Sequence, residues 1–204
     1  MQSTSTQILR SIACAHMQKE QHPASNYYKF SEYTINQPFD EILMDIYKQA
    51  PDVLCLSCYL WNVTEVGQLI QEIPKILPDT KIWLGGPEVS YNAREVLEKY
   101  PMAEGIMRGE GEETFAELVA YYEGRGAAEL INIQGITFRE KEKQIAATPF
   151  RQIMDLSKVP FVYGDIENSR TVSFIMRRAE AVRFLVVIVF LQLINVFGSV
   201  TWNL

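Results

Sequence analysis

The hydrophobic pattern is sharpest between residues 53 and 89. An apolar run, Val53–Cys58, ends in a polar-aromatic turn, Tyr59–Asn62. Val66, Leu69, Ile70, Ile73 and Leu77 then recur on one helical face until Pro78 and Asp79 break the repeat. A second apolar run, Lys81–Leu84, ends at Gly85-Gly86-Pro87. This spacing predicts a strand, a crossover helix and a second strand. Both runs are nearly continuous in apolar character, as strands covered on both faces are.

The alternation extends in both directions. Phe30–Ile35 alternates and predicts a strand, and Asn36–Pro38 a turn. Phe39, Ile42, Leu43 and Ile46 align over a helix at Phe39–Gln49, with Asp40 and Glu41 favouring its N-terminus. Downstream, the pattern predicts a helix at Asn92–Tyr100, a short strand at Gly105–Arg108 and a helix at Thr114–Glu123 closed by Gly124–Gly126. Ile131–Arg139 and Gln144–Pro149 read as a hairpin across the charged turn Glu140–Lys143. Pro149–Gly164 reads as an extended linker, Ile8–Gln18 as a helix, and residues 19–27 as a loop. Strands that alternate with helices from residue 30 to residue 123 predict an α/β fold. It is a doubly wound, mostly parallel sheet with right-handed crossovers and a small β-hairpin extension. Such domains usually open with a strand near the N-terminus, and residues 1–29 carry no pattern for one.

Composition narrows the function classes. The 204 residues are 48% hydrophobic and 22% charged, ordinary for a globular chain. A net charge of −6, with no basic cluster before the C-terminal region, argues against a nucleic-acid surface. Cysteine usage and the lack of a secretory signal point to a reducing cytoplasm. Cys55 and Cys58 form a C-x-x-C inside a strand-like run. Three residues apart in a strand, they face opposite sides, which predicts buried thiols rather than a redox pair. His16 and His22 lack ligand-like spacing, so no metal site is expected.

Open parallel sheets bind ligands at the carboxyl ends of their strands. Here those ends carry Ser57 and Gly85-Gly86. Ser57 offers a hydroxyl, and the glycines let backbone approach a flat ligand. Gly109-Glu110-Gly111-Glu112-Glu113 would present backbone N–H groups at a helix start. Each feature alone also reads as a tight turn. Glu110, Glu112 and Glu113 read either as acid/base groups or as first-turn acids favoured by the helix dipole. Their shared position at consecutive strand ends makes the set informative.

These residues carry a family resemblance. Residues 30–164 resemble the cobalamin-binding domain that precedes the radical-SAM domain in cobalamin-dependent radical-SAM proteins. The matching stretches are Ser57–Asn62, Leu84–Ser90, Arg108–Phe115 and Asp155–Asp165. Ser57 and Gly85-Gly86 are also similar to the S-x-L and G-G parts of the general cobalamin fingerprint. Tyr59 stands where that fingerprint has leucine, and its D-x-H-x-x-G part is absent. The resemblance implies a Rossmann-like/flavodoxin-like domain at residues 30–130, and a hairpin and linker at 131–165. It also implies cobalamin contacts from Ser57, Tyr59, Leu60, Trp61, Asn62, Gly85, Gly86, Pro87, Glu88, Gly109, Glu110, Gly111 and Glu112. The tail of the cofactor would lie in the crevice and its corrin ring would face a radical-SAM domain.

In the family, the linker leads to C-x-x-x-C-x-x-C, whose thiolates hold a [4Fe–4S] cluster beside SAM. This chain has no such motif; residues 184–200 are instead strongly apolar. That run is short for a spanning helix and is interrupted by Gln192 and Asn195, so a membrane anchor is the lesser reading and aggregation the greater. A shifted reading frame is the expected origin of both ends, to be checked in the coding DNA. From Met176 to Val189 the permitted codons can spell E-A-S-R-G-C-P-F-S-C-S-Y-C, with Val182, Val186 and Val189 at the cysteine spacings. At Met1–Arg10 the same shift permits A-K-Y-I-H-S-N-L-A. Residues 1–29 and 166–204 are therefore expected to be aberrant, and the chain as written to lack radical chemistry. The competing reading is a nucleotide- or flavin-binding module, membrane-tethered by residues 184–200. The absence of G-x-G-x-x-G after a first strand counts against a dinucleotide.

Overall fold

A computed structural model describes residues 28–34, 36–140, 144–152 and, for the backbone, 184–190. The helix expected at Ile8–Gln18, the loop at 19–27, most of the linker, the Asp155–Asp165 stretch and residues 191–200 lie outside the described residues.

Five parallel strands form most of one sheet: β1 (Tyr28–Thr34), β2 (Val53–Ser57), β3 (Lys81–Gly85), β4 (Ala103–Met107) and β7 (Phe184–Phe190). A hairpin, β5 (Ile136–Arg139) and β6 (Ile145–Ala147), extends it antiparallel from β4. The spatial order is β1-β7-β2-β3-β4-β5-β6. The helices are α1 (Phe39–Gln49), α2 (Val63–Ile76), the single turn α3 (Pro87–Ser90), α4 (Ala93–Lys99) and α5 (Glu112–Tyr122).

Local chemistry explains most boundaries. Alternation puts Leu54, Leu56, Ile82, Leu84 and Ile106 into one core, beneath Ile42 and Ile46 of α1, Leu69, Ile70 and Ile73 of α2, and Leu97 of α4. Val53, Cys55, Trp83 and Met107 enter a second core under Phe115, Leu118 and Val119 of α5. Helices thus cover both faces, which is why the strands are apolar throughout. Trp83 is fully buried and donates its indole N–H to the Tyr122 hydroxyl at 2.8 Å. Its ring leaves no room for a side chain at residue 105: an added Cβ would come within 2.4 Å.

Two expectations change. Residues 130–132 are a 3₁₀ turn, and the first hairpin strand starts only at Ile136. Ile133 packs into the α5-side core, so the apolar run there serves a corner before it serves a strand. More consequentially, the place between β1 and β2 is taken by residues 184–190 of the C-terminal apolar run.

Candidate functional site

Because β2, β3, β4 and β7 are parallel, their last residues share one edge. Ser57 is paired with Gly85 on one side and with Ile188 on the other. The Gly86 turn bends back under the β2 loop. The Cys58 N–H donates to the Gly85 carbonyl at 2.7 Å, and a Cβ on Gly86 would sit 2.4 Å from the Cys58 carbonyl oxygen. With φ of +104° as well, only glycine fits there.

The loop after β2 is held by Asn62, which is fully buried. Its amide donates to the Ser57 carbonyl at 2.9 Å and its Oδ1 accepts from the Tyr59 N–H at 2.8 Å. That brace stacks Tyr59 on Trp61, centroids 4.7 Å apart, and leaves Leu60 74% and Trp61 43% exposed. An exposed apolar shelf of this kind is a docking feature. Tyr91 and Phe150 are also exposed.

Ser90 is the residue that sequence reasoning missed. Buried in α3, its hydroxyl donates to the Gly86 carbonyl at 2.8 Å and accepts from the Gly109 N–H at 3.2 Å. It joins the two glycine turns directly. Its presence in the Leu84–Ser90 stretch was the signal available. Arg108 was likewise given no role. It is buried, donates to the carbonyls of Ile136 and Thr148, and lies under the Phe150 ring at 4.2 Å. Its Nε has no partner in that buried position, and burial lowers the pKa of the guanidinium. A pocket of about 210 Å³ opens here, lined by Ser90, Tyr91, Arg108, Gly109, Glu110, Phe150, Arg151 and Gln152. Arg151 is held in place by Glu113 at 3.1 Å and Glu117 at 2.5 Å.

The edge therefore unites Ser57, Tyr59, Leu60, Trp61, Asn62, Gly85, Gly86, Gly109 and Glu110. Pro87 and Glu88 open α3 and are exposed, and Gly111 and Glu112 open α5. One carboxylate oxygen of Glu112 is buried without a partner. No heavy atom lies within 4 Å of where a Cβ would stand at Gly109 or Gly111, so both face open space. Cys55 and Cys58 are free thiols in the two separate cores, as their spacing predicts. Burial pushes both pKa values up to about 12, so neither is a nucleophile at neutral pH. Among the described residues, no cluster of three or more His, Cys, Asp or Glu side chains is arranged to hold a metal. What the edge offers is a binding surface: flat apolar shelf, backbone amides at glycine turns, and a polar pocket.

Residues 14–119, just over half of the chain, match the B12 binding domain family. The chain belongs to that family. Similarity runs to cobalamin-dependent radical SAM proteins. TokK of Streptomyces tokunonensis, a cobalamin-dependent radical SAM methyltransferase, is 37% identical over 70 residues, covering 34% of this chain and 10% of that protein. The anaerobic magnesium-protoporphyrin IX monomethyl ester cyclase of Rubrivivax gelatinosus is 26% identical over 145 residues, covering 70% and 26%. The chain thus spans about a quarter or less of these relatives' lengths. The apo structure of the cobalamin-dependent S-adenosylmethionine radical enzyme OxsB superposes with a TM-score of 0.60 at 17% identity, over 78% of this chain and 22% of that chain. This likeness establishes the fold. The nucleotide- or flavin-binding alternative is not favoured, and cobalamin is the cofactor of the family.

The edge suits a corrinoid, which is broad and flat, with apolar faces and amide-bearing arms. The Leu60–Trp61 shelf matches the former, and the glycine turns with Ser57 and Ser90 match the latter.

Proposed function

We propose that the carboxyl edge of β2, β3 and β4 seats cobalamin, and that the chain presents it to a radical-SAM domain. One observation carries the reading. Three sequence-separate loops, starting at Ser57, Gly85 and Arg108, are knitted into a single surface by the Ser57–Gly85 pairing and the Ser90 bridge. Ser57, Gly85 and Gly86 would line the crevice for the cofactor's tail. Tyr59, Leu60, Trp61 and Asn62 would support the ring from the β2 loop. Pro87, Glu88 and the Gly109–Glu112 loop would meet its polar arms. Bound cobalamin supplies a cobalt centre able to carry a methyl group. The protein's own share is to bind it, orient it and shield one face from water.

The residues written here contain no C-x-x-x-C-x-x-C. Cluster and SAM chemistry would come from a radical-SAM domain, to which these residues present the cofactor. Residues 30–130 are its binding unit, with 131–165 the hairpin and linker. Among the described residues no helix is long and apolar enough to cross a membrane. We assign the chain to the cytoplasm on its cysteine usage.

Titrating the full chain with hydroxocobalamin tests the proposal. A saturable 1:1 change in the cobalamin spectrum, with quenching of Trp61 fluorescence, is expected. Trp61→Ala should weaken binding about tenfold, the loss of ~1.4 kcal/mol of ring contact. An unchanged spectrum at a folded protein overturns the reading.

A further inference from the structure

Residues 30–130 do not complete their own pocket. Phe150, Arg151 and Gln152 line it beside Ser90, Arg108 and Gly109. They belong to the segment after β6, which returns from the hairpin to the ends of β4 and α5.

This segment is fastened at successive residues. Thr148 is buried; its N–H donates to the Ile136 carbonyl at 2.9 Å, and its carbonyl accepts from the Arg108 guanidinium. The Pro149 carbonyl accepts from the Gly135 N–H at 2.9 Å. The Phe150 ring lies against the Arg108 guanidinium. Arg151 then reaches α5 with all three of its nitrogens. Its Nε donates to the Thr114 hydroxyl at 3.2 Å, one terminal nitrogen to Glu113 at 3.1 Å and the other to Glu117 at 2.5 Å. Thr114 is fully buried. Glu113 and Thr114 follow directly on the Gly109–Glu112 loop, so the fork fixes the place where that loop enters its helix.

Charge decides between two roles for Arg151. A cation that recruits a ligand must have charge to offer. The single positive charge of Arg151 faces two carboxylates, so this segment brings no net positive charge to the pocket. Isolated exposed ion pairs contribute little. Here one planar guanidinium, its side chain only 16% exposed, is shared among three acceptors on one helix, which is a device for holding position.

We propose that residues 148–152 are a strap that completes the cobalamin site, and that Arg151 is its positioning residue. The strap builds one wall of the pocket and holds the Gly109–Glu113 turn beside it. Resting on the cobalamin reading above, this extends the binding unit past residue 130 to Gln152.

Hydroxocobalamin titration and hydrogen exchange of the full chain test the strap. In Arg151→Ala, amide exchange at Gly109–Glu113 should rise about tenfold and cobalamin should bind about tenfold more weakly. Arg151→Lys keeps the charge but cannot make the fork, so it should not restore affinity. Glu117→Gln separates position from charge. It loosens the strap and should weaken binding about threefold, whereas a recruiting cation released from Glu117 would bind its ligand more tightly. Phe150→Ala, at an exposed ring, should keep the fold and weaken binding about threefold. Arg125→Ala removes the pair with Glu123 beyond the other end of α5 and should change neither readout. If Arg151→Ala fails to fold, Phe150→Ala and Glu117→Gln decide. Undiminished affinity in the folded strap variants overturns the proposal, as does tighter binding by Glu117→Gln. A wild-type chain that leaves the cobalamin spectrum unchanged overturns the cobalamin reading itself.

Discussion

The sheet has two halves built on opposite principles. From β2 to β6 each strand lies beside the next in sequence. From β1 to β2 the neighbours are drawn from residues 28–34, 184–190 and 53–57. The first half closes loops of tens of residues. The second closes one that runs over roughly three-quarters of the chain, from Thr34 to Phe184. Loop closure costs free energy before contacts return it, so the sequential half should form first and template the other. It also holds the glycine turns, the braced Tyr59–Trp61 loop and Ser90. The half assembled from distant segments contributes one flank of the site, where Ile188 stands beside Ser57.

The comparison is broken most sharply at its sequential end. Gly105→Val drives a branched side chain into the Trp83 ring, which is fully buried and bonded to Tyr122. A loss of about 3 kcal/mol is expected in chemical denaturation. If the two halves are one cooperative unit, exchange protection at Leu185–Val189 falls by the same amount. If they are independent, it stays.

Next in size is a paired test of the glycine turns. Gly86→Ala meets the Cys58 backbone at 2.4 Å and keeps a positive φ, so a cost of about 2–3 kcal/mol and at least a tenfold weaker cobalamin complex are expected. Gly109→Ala has φ of +73° and nothing within 4 Å, so it should cost only ~1 kcal/mol, read as a shift in Tm. Equal effects would mean that crowding at Gly86 is unimportant.

Smaller still is Tyr33→Phe at the other flank. Tyr33 is buried in β1 and donates its hydroxyl to Asp45 of α1, which Gln49 also reaches at 2.8 Å. Burial and the Asp45 carboxylate push the Tyr33 pKa upward. Removing the hydroxyl leaves Asp45 with the Gln49 bond, so about 1 kcal/mol should be lost, with cobalamin affinity unchanged. A change in affinity would mean that the distant flank shapes the site.

At neutral pH the thiols should have no effect at all. Both cysteines ionise at about 12 in the folded chain against an ordinary 9.0, because burial disfavours the thiolate. A raised folded pKa stabilises fully below pH 9 and the contribution disappears as pH climbs towards 12. Stability should therefore be flat across pH 7–9 on this account and fall above it. Native Cys14→Ser protein at pH 8 should resist a thiol reagent that labels Cys55 and Cys58 at once in denaturant. Rapid labelling of the folded chain would contradict the burial of both groups.

The positions of α1, α2, α4, α5 and strands β2–β4 were readable because their signals are local: period, helix breakers and the doublet Gly85-Gly86. So was the separation of Cys55 from Cys58, since a strand's side chains alternate. Within the site, the sequence pointed to the loops after β2, β3 and β4. It did not reveal that Ser90 would bridge two of them, nor that Arg108 would hold the hairpin to β4 through two carbonyls. Those roles depend on the approach of segments 19 and 40 residues apart. The 3₁₀ turn at 130–132 escaped because Leu130 and Ile133 have the apolarity of a strand and the burial of a corner.

Taken by itself, the order of residues determined which segments become strands and helices. Local sterics and the alternation of apolar positions suffice for that. The tertiary structure alone decided who stands next to β2. An apolar run such as FLVVIVF encodes a need to be covered on both faces but names no partner, because backbone ladders are alike for every sequence.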